Sequence, residues 1–124
     1  IFTVNQQGTG TAAVLHQDGT TLVTPQNPAH PNEVVVFFAT GLGAVTPALA
    51  TGARSTGNRT VTNPVVTIDT VSAVIDFSGV APGFVGLNQI NLRIPSSTRT
   101  ASNIPVVLTI GGKQSNSVTI PVGP

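Results

Sequence analysis

The chain has 124 residues, of which 7% are charged and 40% hydrophobic; it contains no cysteine, tryptophan, tyrosine or methionine, and its formal net charge is +1. That length corresponds to a single domain, 1–124, able to bury about two-thirds of the surface its unfolded chain exposes. Scattered cations exclude the clustered basic face of a nucleic-acid binder, the lack of cysteine excludes disulfides and thiolate chemistry, and without a run of about 18 apolar residues no membrane insertion is expected.

Valine, threonine and glycine dominate and strong helix formers are few, which favours strands joined by turns. From the amino end, "TAAVLH" and "TTLV" flank Asp18-Gly19, a dipeptide suited to a tight hairpin because both central positions need positive φ. "TPQNPAHPNE" carries prolines at 25, 28 and 31 and reads as an ordered connection, since proline lacks the N–H a ladder requires. "EVVVFFAT", residues 33–40, is apolar on both faces: Val34, Val36 and Phe38 on one, Val35 and Phe37 on the other. Such a strand is either covered on both sides or meets a neighbour.

Residues 41–63 are weakly patterned and predict a loop, with a short strand or helical turn at 44–50. Two strands follow, one with Val66 and Ile68 in phase, the other with Ala73, Ile75 and Phe77 sharing a face. "APGFVGLNQINLRIP", residues 81–95, enters a strand through Pro82-Gly83 and Gly86, with Phe84 capping the core and a bulge near Asn88. Ile90, Leu92 and Ile94 form its apolar face, Gln89, Asn91 and Arg93 its polar face, and Pro95 ends it. A closing hairpin places Ile104, Val106, Leu108 and Ile110 in phase, then Val118, Ile120 and Val122. The pattern predicts an all-β, antiparallel immunoglobulin-like sandwich of about seven to nine strands.

Four ordered motifs, "AVLHQDGT", "NPAHPNEVVVFFATGLG", "VAPGFVGLNQINLRIP" and "IPVVLTIGGKQSNSVTI", resemble the uncharacterised C-terminal domain family first described in Solibacter proteins. The likeness runs over nearly the whole chain, and the layout of a strand, GLG and a strand ending in proline is also similar to IPT/TIG immunoglobulin-like modules. The resemblance implies a secreted or surface-exposed bacterial sandwich at the end of larger proteins, and implies no catalytic residue. The chain starts at Ile1 rather than Met, as expected of a processed form or an excised segment, and it is expected to work either as an appended module or as an independent subunit.

Groups able to do chemistry are sparse. His16, before a turn, and His30, between prolines, are expected to be solvated rather than a metal pair. Asp18 belongs to its turn, Glu33 and Asp76 to strand edges, and with Asp69 they show no calcium-loop spacing. No G-x-S-x-G occurs, and "GTG" and "GLG" are too short for a dinucleotide fingerprint. No catalytic residue, metal or cofactor is therefore expected. Glycan recognition commonly uses Trp or Tyr platforms, which are absent, and the phenylalanines (2, 37, 38, 77, 84) fall mostly in strand patterns. Asn58-Arg59-Thr60 is a sequon in an expected loop, a candidate for covalent glycan.

Scarce edge charge favours assembly. Ile1, Phe2 and Val4 at one end and Val118, Ile120 and Val122 at the other are candidates to add a strand to another subunit, with Val35 and Phe37 as a second contact. Alternatively, both ends pair within the domain. The expected function is a non-enzymatic extracellular module at the cell surface, a self-assembling fibre or surface-layer subunit whose partners are copies of itself or neighbouring domains. Alternatives are a glycan-binding module and a terminal sorting or anchoring domain.

Overall fold

The computed structural model describes residues 1–42, 45–46, 58–60, 62–81, 83 and 87–124. These form an all-β sandwich, without helix, whose strands are β1 (Val14–Leu15), β2 (Val34–Ala39), β3 (Val45–Thr46), β4 (Arg59–Thr60), β5 (Val65–Ile68), β6 (Val71–Ser72), β7 (Val74–Val80), β8 (Asn88–Arg93), β9 (Ala101–Ile110), β10 (Lys113–Gln114) and β11 (Val118–Val122). The tally exceeds the expected seven to nine because β1, β3, β4, β6 and β10 are two-residue pieces. Sheet one runs β1-β2-β8-β7-β4-β3; sheet two runs β10-β9-β5-β6, with β11 beside β10 on the same edge of β9. All these pairings are antiparallel. Of the expected short element at 44–50, Val45–Thr46 falls in β3, while 44, 47–50, Pro82, Phe84 and Gly86 lie outside the described residues.

The core lies between the sheets. Val14, Val35, Phe37, Ile90 and Leu92 face inward from sheet one, against Val66, Ile68, Ile104, Val106, Leu108, Val118 and Ile120 from sheet two. Burying each such side chain stabilises the fold by about 1.5–3 kcal/mol. The expected phases of β5, β8, β9 and β11 hold. Two phases differ. Between Ile75 and Phe77 the β7–β8 register shifts, so Asp76 is an extra residue and Phe77 opposes Asn91 on the outer face instead of joining Ile75 inside. The bulge expected near Asn88 is absent from the β2–β8 ladder, which is unbroken from Ala39↔Asn88 to Val34↔Arg93. Asn88 is buried, in phase with Ile90, and its Oδ1 accepts from Leu42 N at 3.1 Å.

Two hairpins in sheet two turn on two residues with positive φ, the type I′ geometry that matches strand twist. Gly111 (57°) and Gly112 (79°) join β9 to β10 without strain. Asp69 (53°) and Thr70 (68°) join β5 to β6, where β-branched Thr70 adopts a conformation glycine would hold more readily. Asp69 is fixed from both sides: its N–H donates to Pro105 O, and its carboxylate accepts from Arg99 Nε at 2.9 Å. Pro105 thus sits inside a central strand, opposite the β5–β6 turn, just beyond the last β5–β9 pair, Ile68↔Val106.

Candidate interaction surface

The strand-like ends pair within the domain. Phe2 O accepts from Ala13 N, Val4 N donates to Thr11 O, and Phe2 N donates to Phe38 O, which lays residues 2–4 along 11–13 at the β1–β2 corner. On the outer edge of β11, Thr119 N donates to Gly10 O and Thr119 O accepts from Ala12 N. Pro121 has no N–H to offer; its O accepts from Ala29 N, and Gly123 N donates to Ala29 O. Every outward backbone group from Thr119 to Gly123 is therefore occupied or missing.

This corrects the expected strand addition through Val118, Ile120 and Val122, whose side chains are buried in the core and whose edge is already covered. Val35 and Phe37 are corrected likewise. Both face sheet two and are almost fully buried, so presenting them to a partner would cost about 2 kcal/mol each. Of the proposed contact residues, Phe2 (44% exposed) and Val4 (51%) remain accessible, while Ile1 is half-buried.

The apolar side chains on the outside of sheet one lie one residue out of phase with the expected contact, and they are partly covered, Val36 being only 7% exposed. Outward from sheet one point Val34, Val36 and Phe38, and the register sets Leu15, Val36, Asn91 and Phe77 side by side across four strands. Phe2, Val4 and Leu22 (39% exposed) extend this surface at the corner, where Val4, Leu22, Val23 and Pro25 line an open groove of about 440 Å³ with Thr11 and Asn5. Further across, Gln89 donates to Asn91 at 2.8 Å, and Arg93 donates to Asn32 O at 2.7 Å. The face thus grades from apolar at β1–β2 to polar at β8.

Beyond β8, the bulge at Asp76 turns Phe77 outward, and the Arg59 guanidinium lies 5.0 Å over its ring. With Asn63, Pro64, Thr60 and Ser78 these residues line a cleft of about 250 Å³, whose floor is a Thr60–Ser78 hydroxyl hydrogen bond of 2.9 Å. Sequence reading missed this cleft, because the alternation through 73–77 hides the bulge that exposes Phe77.

Asn58 is not the exposed loop acceptor the sequon predicts. It is 5% exposed, its O accepts from Val80 N at 2.8 Å, and a Cβ at Gly79 would collide with that carbonyl. Arg59 and Thr60 of the sequon form β4, and Thr60 is itself buried. A transferase could not reach the Asn58 amide without opening this pairing.

His16 is likewise not solvated. It is 9% exposed, with Nδ1 2.5 Å from Glu33 Oε2 and Nε2 3.0 Å from Asn27 O. A carbonyl and a carboxylate both only accept, so both contacts are hydrogen bonds when both ring nitrogens carry protons, and the site favours the imidazolium. Burial alone would lower its pKa, but the hydrogen bonds to Glu33 and Asn27 and the charges of Glu33 and Asp18 outweigh it, and the net shift is upward. Glu33 Oε1 accepts from His30 N at 3.0 Å, and the His30 ring meets Pro124 O at 2.8 Å. Asp18 lies in its expected turn, where the Thr21 hydroxyl and the Thr21 and Thr20 N–H groups hold its carboxyl well below the usual range. Among the described residues no three His, Asp or Glu side chains gather as metal ligands.

The chain matches no family model, no curated protein and no solved structure. The geometry therefore stands by itself: one apolar outer face, one aromatic–cationic cleft, and a closed last strand.

Proposed function

We propose that this chain is a non-enzymatic, extracellular β-sandwich module that associates with copies of itself or with neighbouring surface domains through the outer face of sheet one. The observation that carries this reading is the exposed apolar cluster of Phe2, Val4 and Leu22 beside the partly buried outer side chains Leu15, Val34 and Phe38, in a chain with few charges. The four motifs resembling the Solibacter-type domain family support the placement at a bacterial surface. The mode is face packing, since the edge of β11 is occupied.

Sedimentation velocity tests it. The wild-type chain is expected to associate reversibly towards millimolar concentration, and the double variant Val4→Asp, Leu22→Asp to remain monomeric. A wild-type chain that stays monomeric throughout that range overturns self-association.

A second reading, a glycan-binding module, draws on the cleft. Phe77 supplies an apolar ring, and Arg59, Asp76 and Asn63 supply donors and acceptors at its rim. On a glycan array this reading expects signals that disappear in Phe77→Ala, and a blank array removes it.

A further inference from the structure

The connection between the Asp18–Gly19 hairpin and β2 pairs with the edge of sheet two at Ala29. Ala29 is fully buried and exchanges hydrogen bonds with Pro121 and Gly123 on the outer edge of β11. Gly123 permits this approach, because a Cβ there would run into the Pro28 ring. Besides these backbone hydrogen bonds and the His30–Pro124 contact, residues 28–30 are tied to the start of β2 by a single carboxylate. Glu33 accepts from His30 N through one oxygen and from the His16 ring through the other, and His16 ties the same connection again at Asn27 O.

Both ring nitrogens of His16 face acceptors, so loss of either proton sets a lone pair against Glu33 or against Asn27 O. Thr24 N–H still reaches Asn27 O and His30 N–H still reaches Glu33 Oε1, so what deprotonation removes is the tie that joins these two acceptors through the ring. The charged groups around the ring are Glu33 at the start of β2 and Asp18 in the hairpin turn, both of which favour the proton. Arg93 of β8 reaches the same connection but donates to Asn32 O, and the His30 ring is engaged by Pro124 O.

We propose that Pro28–His30 is a pH-sensitive strap over the outer edge of β11, held while the His16 imidazolium bridges Glu33 and Asn27 and released when the ring loses a proton. Release frees Pro121 O and Gly123 N–H and uncovers the slot filled by Ala29. It leaves the other cover of the same strand, Gly10 to Ala12 on Thr119, in place. The strap is a property of the fold and holds whichever function the module has.

Amide hydrogen exchange followed by NMR decides the matter, because the two covers of one strand serve as probe and control. Referred to their intrinsic rates, the Ala29 and Gly123 amides are expected to lose protection several-fold relative to the Ala12 and Thr119 amides as pH rises through the His16 titration. In His16→Gln that ratio should become flat with pH. In Gly123→Ala, where the strap is pushed off sterically, Ala29 should exchange fast at every pH. A flat wild-type ratio, a parallel loss at all four amides, or a pH-dependent ratio that survives in His16→Gln would each overturn the proposal.

Discussion

The two sheets solve the same problem with different outer faces. On sheet two, Thr67, Thr109, Thr119, Pro105 and Val107 point outward around the ten-residue β9, and Thr67 donates its hydroxyl to Val107 O. On sheet one, the corresponding positions of β1 and β2 are Leu15, Val34, Val36 and Phe38. Both inner faces are apolar and buried, so polarity in the core does not distinguish the sheets. The difference lies in what meets water: threonine can satisfy itself there, whereas the β2 face gains only by finding a cover. Apolar alternation in a sequence therefore identifies a strand but not which of two apolar faces is the core.

Three tests press on this comparison. The largest effect is expected from neighbours of identical chemistry on opposite faces of β2. Phe37→Ala should cost about 3–5 kcal/mol in urea unfolding, as for a buried aromatic. Phe38→Ala, at a partly buried position on the outer face, should cost less, about 1 kcal/mol. Equal losses would mean that sheet one is covered on both sides.

A smaller effect is expected at the seam between the sheets. The folded His16 ring holds its proton more tightly than the unfolded one, so its contribution is complete below the unfolded value of about 6.5 and fades as pH climbs through the raised folded value. Thermal unfolding of the wild-type chain should therefore fall on the alkaline side of that window, and His16→Gln should remove the dependence. A melting temperature that rises there would reverse the assignment of the ring's charge.

The smallest effect belongs to sheet two. Thr70→Gly should stabilise the β5–β6 hairpin by about 1 kcal/mol, because glycine occupies positive φ without the steric penalty of a branched side chain. At the Gly111–Gly112 turn, Gly112→Thr should destabilise by a similar amount, measured by the same unfolding curves.

Much of the fold was legible in the residues. The inward phases of Ile90, Leu92 and Ile94 and of Ile104, Val106 and Leu108, and the end of β8 at Arg93, ahead of Pro95, follow from alternation and turn chemistry. A turn does fall at Asp18–Gly19, but only Gly19 has positive φ and the loop closes between His16 and Thr21 instead of on the two residues expected. Three features were not legible, each for a physical reason. Asp69–Thr70 lacks the glycine or asparagine that advertises a type I′ turn, because Arg99 and Pro105 hold Asp69 from outside the hairpin. The Asp76 bulge preserves a convincing alternation while shifting the register, so Phe77 looked like core. The strap and the His16–Glu33 pair join residues far apart in sequence, and no local pattern encodes that meeting. The apolar face was read correctly as one of two, but the choice between Val35–Phe37 and Val34–Val36–Phe38 depended on where the second sheet lies.

The occupied edge of β11 has a consequence for symmetry. A subunit that adds strands at an edge offers a donor and a different acceptor, and such a head-to-tail contact repeats without limit. A subunit that has only one apolar face meets its own kind through that same face on both sides, and the contact is used up once two copies have met. With Pro121 and Ala29 closing the last strand, the proposed association through the outer face of sheet one would, used alone, close at a pair. An unbounded array would require a second, different surface from the chain or from a neighbour.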